Sequence, residues 1–273
     1  MAAKQAPIGI FDSGVGGLSV LRAIRARLPA ENLIYLADQM HVPYGPRPRE
    51  EIREFSVNIV RHLLTQKVKL IVVACNTASA VALHHLRAAF PETQFVGMEP
   101  AVKPAAEHTQ SGVVGVLATP TTFQGELYAS VVERFARGVT VLQSTCPGLV
   151  GEIEKGALRS PETIRILKEA LLPMLAQGMD RVVMGCTHYP FVMPVIKEIV
   201  GDSVKVIDPA PAIARQVERL LEQHGLRFAK DQGEVRVVTT GEVEQLKEVL
   251  PLLVGENWPV SGIYLPVSVT GKD

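Results

Sequence analysis

The chain has 273 residues, of which 47% are hydrophobic and 21% charged, which supports a packed core and excludes a disordered protein. Its 28 basic residues balance 28 acidic ones, so no net charge attracts nucleic acid or an anionic membrane, and we expect neither as a partner. Aromatic residues make up 5%, with one tryptophan, which argues against a surface that stacks on single-stranded bases.

Short apolar runs alternate with longer amphipathic segments along the whole chain. The apolar runs predict nine strands, at 8–12, 33–37, 70–75, 94–98, 113–118, 139–143, 181–186, 204–208 and 235–239. The segments that most clearly predict helices lie at 50–66, 161–178 and 211–225. Because the strands are continuously apolar, the pattern predicts parallel sheets that helices cover on both faces.

Two pairs of segments suggest an internal repeat. IGIFDSG (8–14) resembles VGVLATP (114–120), and VVACNT (72–77) resembles VMGCTH (183–188). Similar spacing within each half favours two copies of one α/β unit, although α/β strands often look alike.

Proline-bearing segments at 98–105 and 207–212 are plausible crossings between two such units. We therefore predict an α/β fold of two pseudo-symmetric, doubly wound domains with largely parallel sheets and an active-site cleft between them. The first domain would comprise residues 1–97 plus 208–273, and the second residues 98–207.

The cysteines and the chain start bear on the cellular compartment. Three cysteines without a CxxC pair form neither a disulfide framework nor a zinc ribbon. The N-terminal segment has no apolar stretch typical of a signal peptide, and the run at 70–75 is far shorter than the ~20 residues of a membrane span. We expect a cytoplasmic protein with free thiols.

Ligands of open parallel sheets collect beyond the carboxyl ends of the strands. Polar or reactive residues at these ends are Asp12, Ser13, Asp38, Cys75, Asn76, Thr77, Thr119, Cys186, Thr187, His188 and Asp208. If the two halves face each other, Cys75 and Cys186 lie at equivalent positions across the cleft. A lone cysteine is usually a small buried hydrophobe, which is how we interpret Cys146. Two facing thiols could instead invert a stereocentre, one removing a proton and the other supplying one to the opposite face.

The loop at 12–17, DSGVGG, suits an anionic or zwitterionic ligand, and Asp12 could accept from an ammonium group or orient a thiol. A dinucleotide site is the alternative, because Asp38 lies 24 residues after Gly14, although Ser19 replaces the third glycine of that motif. A nucleotide-dependent oxidoreductase therefore stays open as a second function. A two-lobed, non-catalytic binding protein is a third.

Two further segments border the predicted cleft. His188 could assist proton transfer or, with the cysteines, bind a metal ion; a CxH pattern is weak evidence for zinc, and we expect no metal. The turn-rich loop at 41–48 could hold a carboxylate through its backbone donors and the Tyr44 hydroxyl.

Taken together, FDSGVGG, PYG, ACNTAS and GCTHYP, in this order, resemble the glutamate racemases of the aspartate/glutamate racemase family. The resemblance implies an isomerase that interconverts L- and D-glutamate without a cofactor and supplies D-glutamate for peptidoglycan, and hence for cell-wall biogenesis and cell shape. Racemisation of aspartate or another amino acid on the same scaffold is the nearest alternative. We expect a homodimer.

The resemblance also assigns roles to residues. Cys75 and Cys186 match the two catalytic cysteines, Asp12 matches the acid beside the first, and Glu154 and His188 match the pair beside the second. Positions that match substrate-binding residues are Asp12, Ser13, Tyr44, Gly45, Asn76, Thr77, Thr187 and His188. Gly151 departs from the proline expected in that segment, which leaves Glu152 as a competitor of Glu154. The weak acidity of an α-proton further implies a cleft that closes around the substrate.

Overall fold

The computed structural model describes residues 2–229 and 232–266, and it confirms the predicted fold class. The strands of the described residues are β1 (Ile8–Asp12), β2 (Leu33–Ala37), β3 (Leu70–Val73), β4 (Phe95–Gly97), β5 (Val113–Ala118), β6 (Thr140–Ser144), β7 (Arg181–Gly185), β8 (Lys205–Ile207), β9 (Val235–Thr239) and β10 (Val260–Gly262). The helices are α1 (Ala2–Gln5), α2 (Leu18–Arg27), α3 (Arg49–Thr65), α4 (Asn76–Ala89), α5 (Val102–His108), α6 (Pro120–Phe123), α7 (Glu126–Phe135), α8 (Leu149–Glu154), α9 (Pro161–Ala176), α10 (Met193–Val200), α11 (Ala210–Gln223) and α12 (Val243–Val254), with a 3₁₀ turn at Tyr189–Val192.

The strands form two parallel sheets with related connectivity. The large sheet has the order β10-β9-β2-β1-β3-β4, and the small sheet has the order β6-β5-β7-β8. The order β6-β5-β7-β8 of the small sheet corresponds, strand by strand, to the order β2-β1-β3-β4 within the large sheet. The similar segments at 8–14 and 114–120 therefore begin on the equivalent strands β1 and β5, and those at 72–77 and 183–188 begin on β3 and β7. The internal repeat is therefore present in the topology.

The local sequence explains why the three predicted helices form. In α3, the apolar residues Ile52, Phe55, Ile59 and Leu63 recur at the spacing of one helical face, and all four are buried. Helix α9 starts where the Ser160 hydroxyl accepts from the Thr163 N–H at 3.0 Å, with Pro161 in the first turn. Helix α11 buries its apolar face against α2 beside the large sheet.

The register of the strands positions their carboxyl ends. Asp12 at the end of β1 lies opposite Ala37 on β2, and Ala118 at the end of β5 lies opposite Gly185 on β7. The residues that follow these strands therefore meet at one edge of each sheet.

Strand prediction failed mainly at the C-terminus. Four strands have the predicted bounds, and the others differ by one or two residues at an end. The sequence analysis did not predict β10, whose Val260 is only half-buried because the strand lies at an edge, paired with β9.

The large sheet takes its strands from 8–97 and 235–262, and the small sheet takes its strands from 113–207. The domain boundaries at 97/98 and 207/208 stay a prediction. In the part of the chain that the structure describes, no helix combines the length and apolar character that a bilayer span requires.

Candidate active site

Both thiols expected at the cleft line one cavity between the two sheets. Its lining residues are Ser13, Pro43, Tyr44, Gly45, Cys75, Asn76, Thr77, Thr119, Val150, Cys186, Thr187 and His188. A small molecule in this cavity would lie beside both Cys75 and Cys186.

Cys75 is the N-cap residue of α4. Its sulfur accepts from the Ala78 N–H at 3.4 Å, and its carbonyl accepts from the Ser79 N–H at 2.8 Å. The N–H groups of Asn76 and Thr77 precede these two and have no acceptor within the helix, so the helix start can receive a carboxylate. Burial, and then the negative charge of Asp12, raises the pKa of Cys75 well above its usual range.

Asp12 lies behind the cavity wall and reaches the cavity through two hydroxyl groups. The Ser13 hydroxyl donates to Asp12 at 2.9 Å, and the Thr187 hydroxyl donates to its other oxygen at 2.7 Å. The Cys75 sulfur lies 3.9 Å from the Ser13 hydroxyl oxygen. Burial raises the pKa of Asp12, an effect that the charge of His188 and these hydrogen bonds partly offset. Among the described residues, the Ser13 hydroxyl is the group that links Asp12 to Cys75.

Cys186 has a histidine and a carboxylate beside it. His188 Nδ1 lies 3.7 Å from the Cys186 sulfur, and His188 Nε2 lies 2.6 Å from Glu154 Oε1. Burial opposes charge on His188, but its hydrogen bonds with Cys186 and Glu154 raise its pKa well above the usual value. Burial likewise opposes charge on Glu154, but the hydrogen bond from His188 holds its pKa below the usual value. Both directions favour an imidazolium paired with a carboxylate.

The structure separates the two candidate glutamates. Glu154 is buried at the end of α8 and contacts His188. Glu152 faces the start of α9 instead, where it accepts from the Ser160 hydroxyl at 2.8 Å. Gly151 lies inside α8 with no atom within 4 Å of the Cβ that it lacks, so this departure from the family pattern leaves Glu154 in place.

The Tyr44 hydroxyl does not donate into the cavity. It donates to Asp38 at 2.5 Å, and Asp38 also contacts the His41 ring at 2.9 Å and accepts from the Thr240 hydroxyl at 2.8 Å. This buried cluster fixes the loop that brings Gly45 to the cavity wall. Asp38 is fully engaged within the protein, which disfavours its alternative role as a ribose-binding acid.

Asn76 presents an unpartnered amide to the cavity. Its side chain is buried, and neither its oxygen nor its nitrogen has a hydrogen-bond partner among the described residues. Buried polar groups are normally paired, so this amide is available to a ligand. Thr77 lies next to it, and its hydroxyl oxygen lies 2.9 Å from that of Thr119 on the small-sheet side.

The glycine loop lies against the Cys186 side of the site and not against open space. A Cβ at Gly14 would lie 1.9 Å from Glu154 Oε1, and one at Gly16 would lie 2.4 Å from His188 Nδ1. Glu154 and His188 thus fill the space that a pyrophosphate would occupy above a dinucleotide loop. The geometry does not support the oxidoreductase alternative.

The structure brings the predicted site residues together. Asp12 and Glu154 lie behind the residues that line the cavity, and the Tyr44 hydroxyl points away from the cavity to Asp38. Cys146, interpreted as structural, is a buried free thiol outside the cavity lining. Thr119 was noted at a strand end without a role, and it lines the cavity. Pro43 lies in the predicted loop at 41–48, whereas Gln39 and Val150 have no signal in the sequence, because only the fold brings them to the site. No group of three His, Cys, Asp or Glu side chains within residues 2–229 and 232–266 is arranged to hold a metal ion.

Comparison with known proteins gives consistent matches. A family model described as Asp/Glu/Hydantoin racemase matches residues 8–217. The chain is 52% identical over 256 residues to the glutamate racemase of Ectopseudomonas mendocina, an alignment that covers 94% of this chain and 97% of that protein.

Solved structures match over the same extent. Glutamate racemase isoform RacE1 from Bacillus anthracis has a TM-score of 0.87 and 32% identity, with 97% of this chain and 100% of that chain covered. Escherichia coli glutamate racemase in complex with L-glutamate and the activator UDP-MurNAc-ala has a TM-score of 0.82 and 33% identity, with 94% and 97% covered.

Proposed function

Because this chain belongs to the Asp/Glu/Hydantoin racemase family and is an isomerase, we propose that it interconverts L- and D-glutamate without a cofactor, using Cys75 and Cys186 as two bases. The observation that carries the proposal is that both thiols line one cavity, at equivalent strand ends of a repeated unit. The relatives named glutamate racemase, and the neighbour solved with L-glutamate, support the choice of substrate.

In the proposed reaction, one thiolate takes the α-proton and the C–H electron pair stays on the α-carbon. The other thiol then donates its proton to the opposite face, and a thiolate remains at that sulfur. The raised pKa of Cys75 supports a resting enzyme in which Cys75 is the protonated thiol. An approaching substrate ammonium group would offset the charge of Asp12 and make Cys75 a better base in the return reaction.

The α4 start and the neighbouring amide provide the proposed carboxylate site. The free N–H groups of Asn76 and Thr77 carry the positive end of the helix dipole. The unpartnered Asn76 amide adds a donor. These oriented groups would also stabilise the negative charge that develops as the α-proton leaves.

We further propose that the cleft opens to admit substrate and closes again around it, because the Thr77 and Thr119 hydroxyl groups contact each other across it. Supply of D-glutamate for peptidoglycan stays a prediction that rests on the resemblance, and cytoplasmic location stays one that rests on the cysteine content. Homodimer assembly likewise stays a prediction. A D-glutamate requirement in a strain lacking the protein, and sedimentation of the purified chain, would test the first and last of these.

The deciding experiment incubates each glutamate enantiomer with purified protein in deuterated water, without added cofactor. Inversion with deuterium at the α-carbon is expected from both enantiomers. Absence of α-exchange from both would reject the proposal. A panel of amino acids that includes aspartate tests the nearest alternative. A larger kcat/KM for another amino acid would identify that amino acid as the substrate and would leave the proposed two-base mechanism unchanged.

A further inference from the structure

Glu154, which holds His188, depends on a residue that no motif identifies. Its Oε1 accepts from the Val15 N–H at 2.8 Å as well as from His188, and its Oε2 accepts from Gln39 Nε2 at 3.1 Å. Among the described residues, Gln39 is the only partner of that second oxygen. Its side chain therefore fixes the second oxygen of the carboxylate, while Val15 and His188 hold the first.

The Gln39 amide is itself fixed at its other end. Its Oε1 accepts from the Thr239 hydroxyl at 2.9 Å, at the end of β9. Because the oxygen is used there, the NH₂ group must face Glu154. The amide thus ties the carboxylate at the end of α8 to the large sheet.

A second cavity explains why such a tie is needed. It has an empty volume of about 630 Å³, is distinct from the substrate cavity, and is lined by Gln39, Glu154, Glu242 and Gln245 together with other residues. Water in this cavity could solvate Glu154, and the carboxylate of Glu242 lines the same space. Without Gln39, Glu154 could turn toward that water and lengthen its contact with His188.

We propose that Gln39 is a positioning residue for the Cys186 half of the reaction, holding Glu154 against His188. The inference rests on the proposed two-base racemisation. The Cys75 half does not involve Gln39, since Asp12 is held by Ser13, Gly14 and Thr187. Loss of Gln39 should therefore slow proton transfer at one thiol only.

The test compares wild type with Gln39→Met, which keeps the side-chain length and removes both hydrogen bonds. Gln39→Asn, whose shorter amide cannot span both partners, is the second variant if the first does not fold. We expect kcat/KM to fall about tenfold, the effect of losing one hydrogen bond to a charged group. Because the enantiomers have equal free energy, kcat/KM must fall equally in both directions, and the fall alone does not identify the thiol.

The α-deuterium isotope effect on kcat/KM, measured with each enantiomer, identifies it. Slower transfer at Cys186 should raise the effect for the enantiomer that Cys186 deprotonates and lower it for the other. Ser13→Ala, on the Cys75 side, should shift the two effects in the reverse directions. Gln245→Ala is the control and should keep wild-type values, because Gln245 lines the same cavity but is not among the hydrogen-bond partners of Glu154.

Isotope effects that stay unchanged or shift together in the Gln39 variants would overturn the positioning role, as would an unchanged kcat/KM. In either case a wild type that racemises with α-exchange leaves the proposed function intact. A wild type without α-exchange would reject the proposed function itself, so the two failures are distinguishable.

Discussion

Cys75 and Cys186 occupy equivalent ends of two repeated α/β units, and each is linked to a carboxylate by a different kind of group. Cys75 reaches Asp12 through the Ser13 hydroxyl, whereas Cys186 reaches Glu154 through the His188 imidazole. An imidazole can carry a positive charge and a hydroxyl cannot. The two halves of the site are therefore similar in fold and unequal in electrostatics, which suits a reaction that needs one thiol and one thiolate at a time.

Replacing either cavity cysteine should stop racemisation. In Cys75→Ser and Cys186→Ser, the hydroxyl is a much weaker acid than a thiol, so the replaced half cannot exchange its proton at neutral pH. The measurement is the change in optical rotation of each enantiomer. Cys146→Ala serves as the matched control, because Cys146 is buried outside the cavity, and it should keep activity of the same order. Normal turnover in either cavity variant would remove the two-base mechanism.

Glu154→Gln should lower the free energy of unfolding in a defined pH window. The folded pKa of Glu154 is lowered from 4.5, so its contribution is present above pH 4.5 and is lost as the pH falls through the lowered value. The folded pKa of His188 is raised from 6.5, so its contribution is present below pH 6.5 and is lost as the pH rises through the raised value. The loss should be largest between these values, at about 3 kcal/mol, the cost of breaking a buried ion pair.

Urea denaturation at about pH 4, 5.5 and 9 measures this difference. Glu152→Gln is the matched control, because that side chain is on the same helix and does not contact His188. A difference between wild type and Glu154→Gln that is constant across the three pH values would contradict the ion pair.

Gly16→Ala should reduce kcat strongly while the chain still folds. The added Cβ would lie 2.4 Å from His188 Nδ1 and 2.7 Å from the Thr187 hydroxyl, so His188 must move away from Cys186. We expect a loss of about 100-fold, the usual effect of misplacing a catalytic group by about 1 Å. Gly151→Ala is the matched control, because its Cβ meets no atom within 4 Å. Gly151→Ala should stabilise α8 by about 1 kcal/mol and leave kcat unchanged. An equal loss of kcat in Gly16→Ala and Gly151→Ala would argue against the steric explanation.

The strands, the parallel sheets and the shared cavity could be predicted because continuous apolar runs and strand-end residues are local signals. Side-chain direction could not. The Tyr44 hydroxyl turns to Asp38, and Asp12 lies behind Ser13, because buried partners far along the chain hold both carboxylates. Thr240 donates to Asp38, and Thr187 donates to Asp12. Gln39 carries no pattern of its own, since its partners on β9 and α8 lie 200 and 115 residues away.

Asn76→Ala should weaken glutamate binding and, at the same time, stabilise the substrate-free protein. The buried amide has no partner in the protein, so removing it abolishes a desolvation cost, and we expect a gain of about 1 kcal/mol in unfolding free energy. Loss of its donor to the substrate carboxylate should raise KM about tenfold. Ser79→Ala is the opposite case, because that hydroxyl donates to Val73 and accepts from the Met98 N–H, so stability should fall with KM unchanged. Thermal melting and initial rates measure both quantities, and a destabilised Asn76→Ala with normal KM would show that the amide serves the fold and not the ligand.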